Sequence, residues 1–185
     1  MKLPENLDQA LCHAEKLYGH TQIAMAITRM GGELDRLLDG EEAIFLSVMQ
    51  GAVVFAGALA LAIRSPLEFD YVHATRYQGK VTGGELQWRQ LPKISMQGRV
   101  VILADDILDE GNTLAAIRAW CLAHGARRVL IAVLCIKRHG RGVPDLQADS
   151  IGLDVPDRYV FGYGMDFQEQ GRNLPAIYAL PGDMA

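Results

Sequence analysis

What this chain has little of narrows its chemistry before any motif is read. Its three cysteines, Cys12, Cys121 and Cys135, are an odd, widely spaced set without a CxxC or a metal-ligand grouping, which argues against a disulfide framework and a thiolate metal site. They read as reduced core thiols in a cytoplasmic protein. Positive charge is short as well: 18 lysines and arginines stand against 22 acids, a net charge of −4 with the signs interspersed. No basic stripe is available for a nucleic acid, so small anions must be caught locally. Neither GxxxxGK[ST] nor GxGxxG occurs, which removes the P-loop and the dinucleotide fold from consideration. Lys2, Glu5, Asp8, Glu15 and Lys16 break up any signal-peptide core near the first residue. The one long charge-free run, Ala43 to Ile63, has 21 residues, enough to span a bilayer by length. Ser47, Gln50, Gly51, Gly57 and six alanines keep it too weakly apolar for that. It is expected to be a buried strand, a turn and a buried helix, with no membrane contact.

What is present is an alternation of strand and helix patterns in a chain long enough to bury about 70% of its unfolded surface. Leu7, Leu11, Ala14 and Leu17 recur at helical spacing. Ile23, Ile27, Leu34, Leu37 and Leu38 do so again, with Thr21 as a candidate N-cap and Gly31-Gly32 as a weak or bent point. Ile44 to Met49 reads as a strand, Gln50-Gly51 as a tight turn and Val53 to Ile63 as a helix. Leu67 to Ala74 alternates as a strand, and Arg76 to Arg89 is polar and without a period. Asn112 to His124 reads as a helix ended by Gly125, and Arg128 to Ile136 as another buried strand. The pattern implies an α/β fold: a mostly parallel central sheet flanked by helices, with a small hood from the N- and C-terminal parts. No linker or repeat divides it, so residues 1–185 are expected to form one domain with its core at about 40–160.

The stretch around which the rest is arranged is Val100 to Thr113, VVILADDILDEGNT. Four β-formers run into Asp105-Asp106, then Asp109 and Gly111, and a helical pattern starts at once. A buried strand, an acidic loop and a helix N-terminus are expected. Such a junction aims free N–H groups and the positive end of the helix dipole at one point, which suits a phosphate. Three carboxylates beside a phosphate would repel it unless they hold something else, and sugar hydroxyls and a divalent cation are the candidates. A ligand with a phosphate, a ribose and Mg²⁺ meets all three demands.

This stretch closely resembles the phosphoribosyl-pyrophosphate (PRPP) binding motif of type I phosphoribosyltransferases, and residues 40 to 175 are similar to the hypoxanthine-guanine branch. The resemblance implies the type I fold and a Mg²⁺-dependent transfer of 5-phosphoribosyl from PRPP to N9 of hypoxanthine or guanine, giving IMP or GMP and pyrophosphate in purine salvage. It implies that Asp109 to Thr113, through Glu110, Gly111 and Asn112, hold the 5-phosphate. Asp105 and Asp106 would secure the ribose hydroxyls and the metal, and Asp109 would act as base at purine N7. Gln50-Gly51 falls on the pyrophosphate loop, where the family usually has a basic residue before Gly and a strained or cis peptide. Arg76-Tyr77 falls on a mobile lid, where only the Tyr matches. Lys137, at a strand end facing the ligand crevice, would donate to the purine 6-oxo group and so reject adenine. Tyr159 would stack on the base, Val160 would read its edge through the backbone, Asp166 would help bind a second Mg²⁺, and Arg172 would meet pyrophosphate.

Two departures stand out. Gln50 replaces a cation with an amide, whose hydrogen bonds to an oxyanion are about half as strong as charged ones, so PRPP binding should lean on backbone and metal. Glu110 stands where the branch usually offers a Thr or Ser hydroxyl, and its carboxylate is expected to turn outward. A lid would exclude water from the oxocarbenium-like transition state. Family members are usually dimers or tetramers, so a homo-oligomer is expected. A same-fold enzyme for xanthine or a pyrimidine stays open. The acidic balance counts against an RNA-binding regulator.

Overall fold

The computed structural model describes residues 3–76 and 86–182. The first element, α1 (Leu7–His13), is capped by Asn6, whose side chain accepts from the Gln9 N–H. The leucine spacing predicts a helix reaching Leu17, yet it stops at His13. Ala14 turns extended, and β1 (Glu15–Tyr18) leaves to pair with the C-terminal end of the chain. A long-range strand pairing has overridden a local period. The second helix, α2 (His20–Leu38), starts two residues earlier than Thr21 as N-cap allows. Gly19 is its N-cap, with its N–H donated to the Gln22 side chain at 3.0 Å. Gly31 and Gly32 lie inside one continuous helix. A Cβ on Gly31 would stand 2.4 Å from the Ala62 carbonyl, so this glycine permits close helix packing.

From there strands and helices alternate: β2 (Ala43–Met49), α3 (Val53–Ala62), β3 (Leu67–Arg76), β4 (Leu86–Gln90), β5 (Val100–Leu108), α4 (Asn112–Ala123), β6 (Arg128–Lys137) and β7 (Ser150–Val155). They form a sheet of order β4-β3-β2-β5-β6-β7, parallel except for the edge strand β4. Parallel strands are covered on both faces, which accounts for the near-continuous apolar runs. Along β2, Ala43 and Phe45 face the layer of α2 and α3, while Ile44 and Leu46 face α4 with its Leu114, Ile117 and Cys121. Burying a side chain the size of Phe45 fully is worth roughly 1.5–3 kcal/mol, and dozens of such positions specify the sheet. The charge-free run resolves into β2, a turn and α3, and no helix among the described residues is long and apolar enough to cross a membrane. Cys121 and Cys135 are buried, but Cys12 is exposed on α1 and is not a core thiol.

The hood is a second sheet, β1-β9-β8, built from β8 (Val160–Phe161), β9 (Ile177–Ala179) and the N-terminal β1. Phe161, Phe167 and Leu180 pack with Ala10 of α1 beneath it. Gly164, in the turn after β8, approaches so closely that its Cβ would lie 2.2 Å from the Gly51 carbonyl. The hood therefore closes over the C-terminal ends of the parallel strands, where an open α/β sheet binds its ligand.

Candidate active site

Asp105 and Asp106 do not begin a loop. Strand β5 continues through them to Leu108, because Asp105, Ile107 and Leu108 still pair with Val133, Cys135 and Ile136 of β6. Strand pairing fixes both carboxylates rigidly, with the Asp106 N–H donated to Asp105 Oδ1 at 3.0 Å. Burial pushes the Asp105 carboxyl well up, and the charge of Asp106 pushes it further. Burial raises Asp106 as well, opposed by its contact with Asp105 and by the nearby Arg172 guanidinium. Two adjacent acids that resist ionisation form an electrostatic deficit that a divalent cation fills, so this donor set fits Mg²⁺.

Three residues past the end of β5 the chain turns into α4. Gly111 is its N-cap at φ 81°, a left-handed conformation, and its Cβ would stand 2.5 Å from Leu146 Cδ2, so only glycine fits. No side chain caps this end, and the first-turn N–H groups have no partner within the helix. They face a cavity of about 460 Å³ lined by Asp105, Asp106, Asp109 to Thr113, Gly51 and Arg172. Glu110 lies at its rim, half-buried. Its carboxylate accepts from the Asn112 side chain at 3.0 Å, and its carbonyl accepts the Val143 N–H at 2.8 Å.

Asp109 links this cavity to a larger one of about 860 Å³, which the two share together with Glu110. Lys137 Nζ donates to Asp109 Oδ2 at 2.7 Å, and His139 Nε2 lies 2.6 Å from Oδ1. Burial alone would raise this carboxyl; the bonds from Lys137 and His139 outweigh it and hold the pKa below the usual aspartate value. His139 was not foreseen from the sequence. Its signal was a histidine two residues past the strand-end Lys137, in KRHG. Asp109, His139 and Asp157 offer ligand atoms within 4.8 Å of one another. Arg141 already binds Asp157 at 2.7 Å, and Lys137 binds Asp109, so the grouping is a closed hydrogen-bond network.

Residues 13–170 match the family described as phosphoribosyl transferase domain. The chain belongs to the phosphoribosyl transferase family. It is 32% identical over 165 residues to the hypoxanthine-guanine phosphoribosyltransferase of Streptococcus pneumoniae, covering 89% of this chain and 91% of that protein. The crystal structure of a Bacillus anthracis hypoxanthine-guanine phosphoribosyltransferase superposes with a TM-score of 0.85 at 28% identity, covering 90% of this chain and 98% of the other. A Staphylococcus aureus hypoxanthine phosphoribosyltransferase gives 0.87 at 26% identity, covering 97% and 98%.

Other residues that the phosphoribosyl transferase resemblance singled out are placed less directly. Arg172 donates to the Gly164 carbonyl and binds Asp166 Oδ1 at 2.8 Å, while Asp166 Oδ2 accepts the Glu169 N–H. Both oxygens of Asp166 thus have protein partners. Tyr159 is half-buried, packed edge-on against Phe167, with its hydroxyl on the Asp166 carbonyl. Val160 is a core residue opposite Ala179. The Met49–Gln50 peptide is cis, and the Gln50 side chain is exposed. Arg76 ends β3; Tyr77 and most of the expected lid lie outside the described residues. The segment returns as β4, antiparallel to β3.

Proposed function

We propose that this phosphoribosyl transferase carries 5-phosphoribosyl from PRPP to N9 of hypoxanthine or guanine, forming IMP or GMP and releasing pyrophosphate. One observation carries the reading: a single cavity joins the half-buried Asp105–Asp106 pair, the uncapped N-terminus of α4 and the carboxylate of Asp109. The N–H groups from Gly111 onward, with the Thr113 hydroxyl, receive the 5-phosphate. Asp105 and Asp106 hold the ribose hydroxyls, and the Mg²⁺ they would bind supplies neutralising charge for the diphosphate. As N9 bonds to C1′ and the C1′–O bond to the leaving pyrophosphate breaks, the proton on purine N7 passes to Asp109. Lys137 turns from Asp109 Oδ2 to the purine 6-oxygen, which accepts; the 6-amino group of adenine would meet it donor to donor. Arg172, released from Asp166, meets pyrophosphate and frees Asp166 for a second cation. Positioning and electrostatics therefore supply most of the rate.

The carboxylate of Glu110 opposes the phosphate, and the Asn112 side chain holds it at the rim. The enzyme acts as a homo-oligomer in the cytoplasm, a reading supported by its unpaired thiols and by the exposed apolar face argued in the Discussion.

The test is a panel of hypoxanthine, guanine, xanthine, adenine and uracil, each with PRPP and Mg²⁺. Nucleotide should form with the 6-oxopurines and not with adenine or uracil. Asp109→Ala should lower turnover about 10²- to 10⁴-fold. Turnover confined to adenine or uracil, or an undiminished Asp109→Ala enzyme, overturns the reading.

A further inference from the structure

We infer that His139 is a positioning residue for Asp109, holding the carboxylate in place when Lys137 leaves it for the substrate. The inference rests on the reading of Asp109 as the base and goes beyond it. In the structure two groups hold Asp109: Lys137 on Oδ2 at 2.7 Å and His139 on Oδ1 at 2.6 Å. A lysine that must contact the purine 6-oxygen cannot stay on Oδ2. Without a second partner the departing ammonium would leave an aspartate side chain, 40% exposed, free to rotate about its side-chain bonds.

His139 is built to prevent that. Its side chain is only 6% exposed, so the ring has little freedom of its own. The Arg141 backbone N–H donates to its Nδ1 at 3.1 Å, so that nitrogen carries no proton and Nε2 holds the ring's N–H, aimed at Asp109. The tautomer is thus set by the backbone. The same β6–β7 connection reaches the phosphate loop a second time, where the Val143 N–H donates to the Glu110 carbonyl at 2.8 Å. The chain after β6 therefore braces both Asp109 and Glu110 from one side.

Geometry then assigns the two carboxylate oxygens different tasks. Oδ1 stays on His139 throughout. Oδ2, which holds the ammonium of Lys137 in the empty site, is left to face the purine N7–H. When Oδ2 takes that proton, the N–H of His139 still has Oδ1 as its acceptor, so no buried donor is orphaned by the reaction. Lys137, Asp157, Arg141, Glu110 and Arg138, the last paired with Asp154, are other charged groups around this pair.

The experiment compares three variants in the full-length protein. His139→Phe keeps a ring but has no donor, His139→Asn has an amide one bond too short, and His139→Gln can place its amide N–H near the position of Nε2. The readouts are the single-turnover rate of IMP formation from saturating PRPP and hypoxanthine with Mg²⁺, and the KM of each substrate. Loss of one hydrogen bond to a charged group predicts a rate about ten- to a hundredfold lower for Phe and Asn. The KM values should stay within about twofold, since uniform binding is not lost, and Gln should recover most of the rate. In an Asp109→Ala background, adding His139→Phe should change nothing further. If His139→Phe fails to fold by circular dichroism, the contrast between Asn and Gln decides. Wild-type rates in Phe and Asn, an equal loss in Gln, or a further loss on top of Asp109→Ala overturns the role of His139. If Asp109→Ala itself retains full turnover, the base assignment fails instead, and the two failures are distinct.

Discussion

Gly51 lies so close to Asp106 that a Cβ built on it would stand 1.9 Å from Oδ2. The turn after β2 and the acid on β5 are thus fitted to one another across neighbouring parallel strands, and the carboxylate occupies the space a side chain would need. Gly51→Ala should push Asp106 out of register with Asp105. Overpacking of this kind costs about 1–3 kcal/mol, a fall in Tm of about 2–4 °C per kcal/mol in a chain of this length. Turnover should fall further, by about a hundredfold, because misplacing a substrate-holding group by about 1 Å costs that much. Initial rates and a thermal melt check both, and an unchanged rate would show that Asp106 tolerates displacement.

The acid pair also sets a dependence on pH and cation. Folding raises the Asp105 carboxyl, chiefly through burial and then through Asp106. A raised carboxyl favours the native state while protonated, in full below its unfolded value of about 4, and that favour is lost as pH climbs through the raised value. Above the unfolded value the pair therefore opposes folding, because the native state must either take up a proton or bury the charge. Asp105→Asn, which keeps an acceptor for the Asp106 N–H, should melt a few degrees above wild type at pH 7.5 in the absence of divalent ions. The gap should narrow towards pH 4. Millimolar MgCl₂ should raise the Tm of the wild type and leave the variant almost unmoved.

Much of this was legible in the sequence, and the exceptions have physical reasons. The continuous apolar runs from Ile44 and Val100 become central strands because parallel strands must be apolar on both faces. The turn into α4 was readable because Gly111 and the pattern after it fix a helix start locally. Leu17 misled, since its helical spacing gave way to a pairing with a strand some 160 residues away. The extent of β5 misled too, because aspartates are poor strand formers and only the β6 ladder holds them extended. His139 was missed because its partner lies 30 residues earlier and only the fold brings them together, so KRHG by itself did not say what the histidine binds.

Thiol accessibility follows from the same packing. Burial drives the Cys121 thiol up to about 12 and raises Cys135 beyond that of a free cysteine, so neither supplies thiolate at neutral pH. Cys12 is exposed. A colorimetric disulfide reagent at pH 8 should titrate one thiol in the native protein and three in denaturant. Fast reaction of a second thiol in the native state would mean that the sheet core opens readily.

Glu33 ties α2 to the edge of the sheet. Its carboxylate accepts from the buried Ser150 hydroxyl at 2.7 Å and pairs with Arg29, which in turn donates to the carbonyls of Ile151 and Gly152. Burial pulls its pKa up, but the bonds from Ser150 and Arg29 win, so the folded value is lowered. A lowered acid contributes stability above its unfolded pKa of about 4.3, and that contribution is lost as pH falls through the folded value. Glu33→Gln should therefore cost about 1 kcal/mol between pH 6 and 8, with the difference from wild type shrinking below about pH 4.5. A difference that stays constant to pH 3 would show that charge plays no part in this contact.

Leu61 is 91% exposed at the end of α3, and Val53, two turns earlier on the same helix, is half exposed. On β3, Phe69 and Tyr71 alternate onto one side of the sheet, and the ring contact of Phe69 with Phe45 makes it the side that carries α3. Four large exposed apolar side chains on the same side of the sheet exceed the isolated exposed leucine that needs no explanation. With no unpaired acid or base interrupting α3, this face has the composition of a self-association surface. Leu61→Asp should convert the proposed oligomer to monomer in light scattering coupled to size exclusion, because a carboxylate placed in a self-association face would be buried without a partner. The substitution faces solvent in the isolated chain, so the fold should survive and the monomer should melt cooperatively. A wild-type protein that is already monomeric at micromolar concentration, or a Leu61→Asp protein that keeps its assembled mass, would place the interface elsewhere.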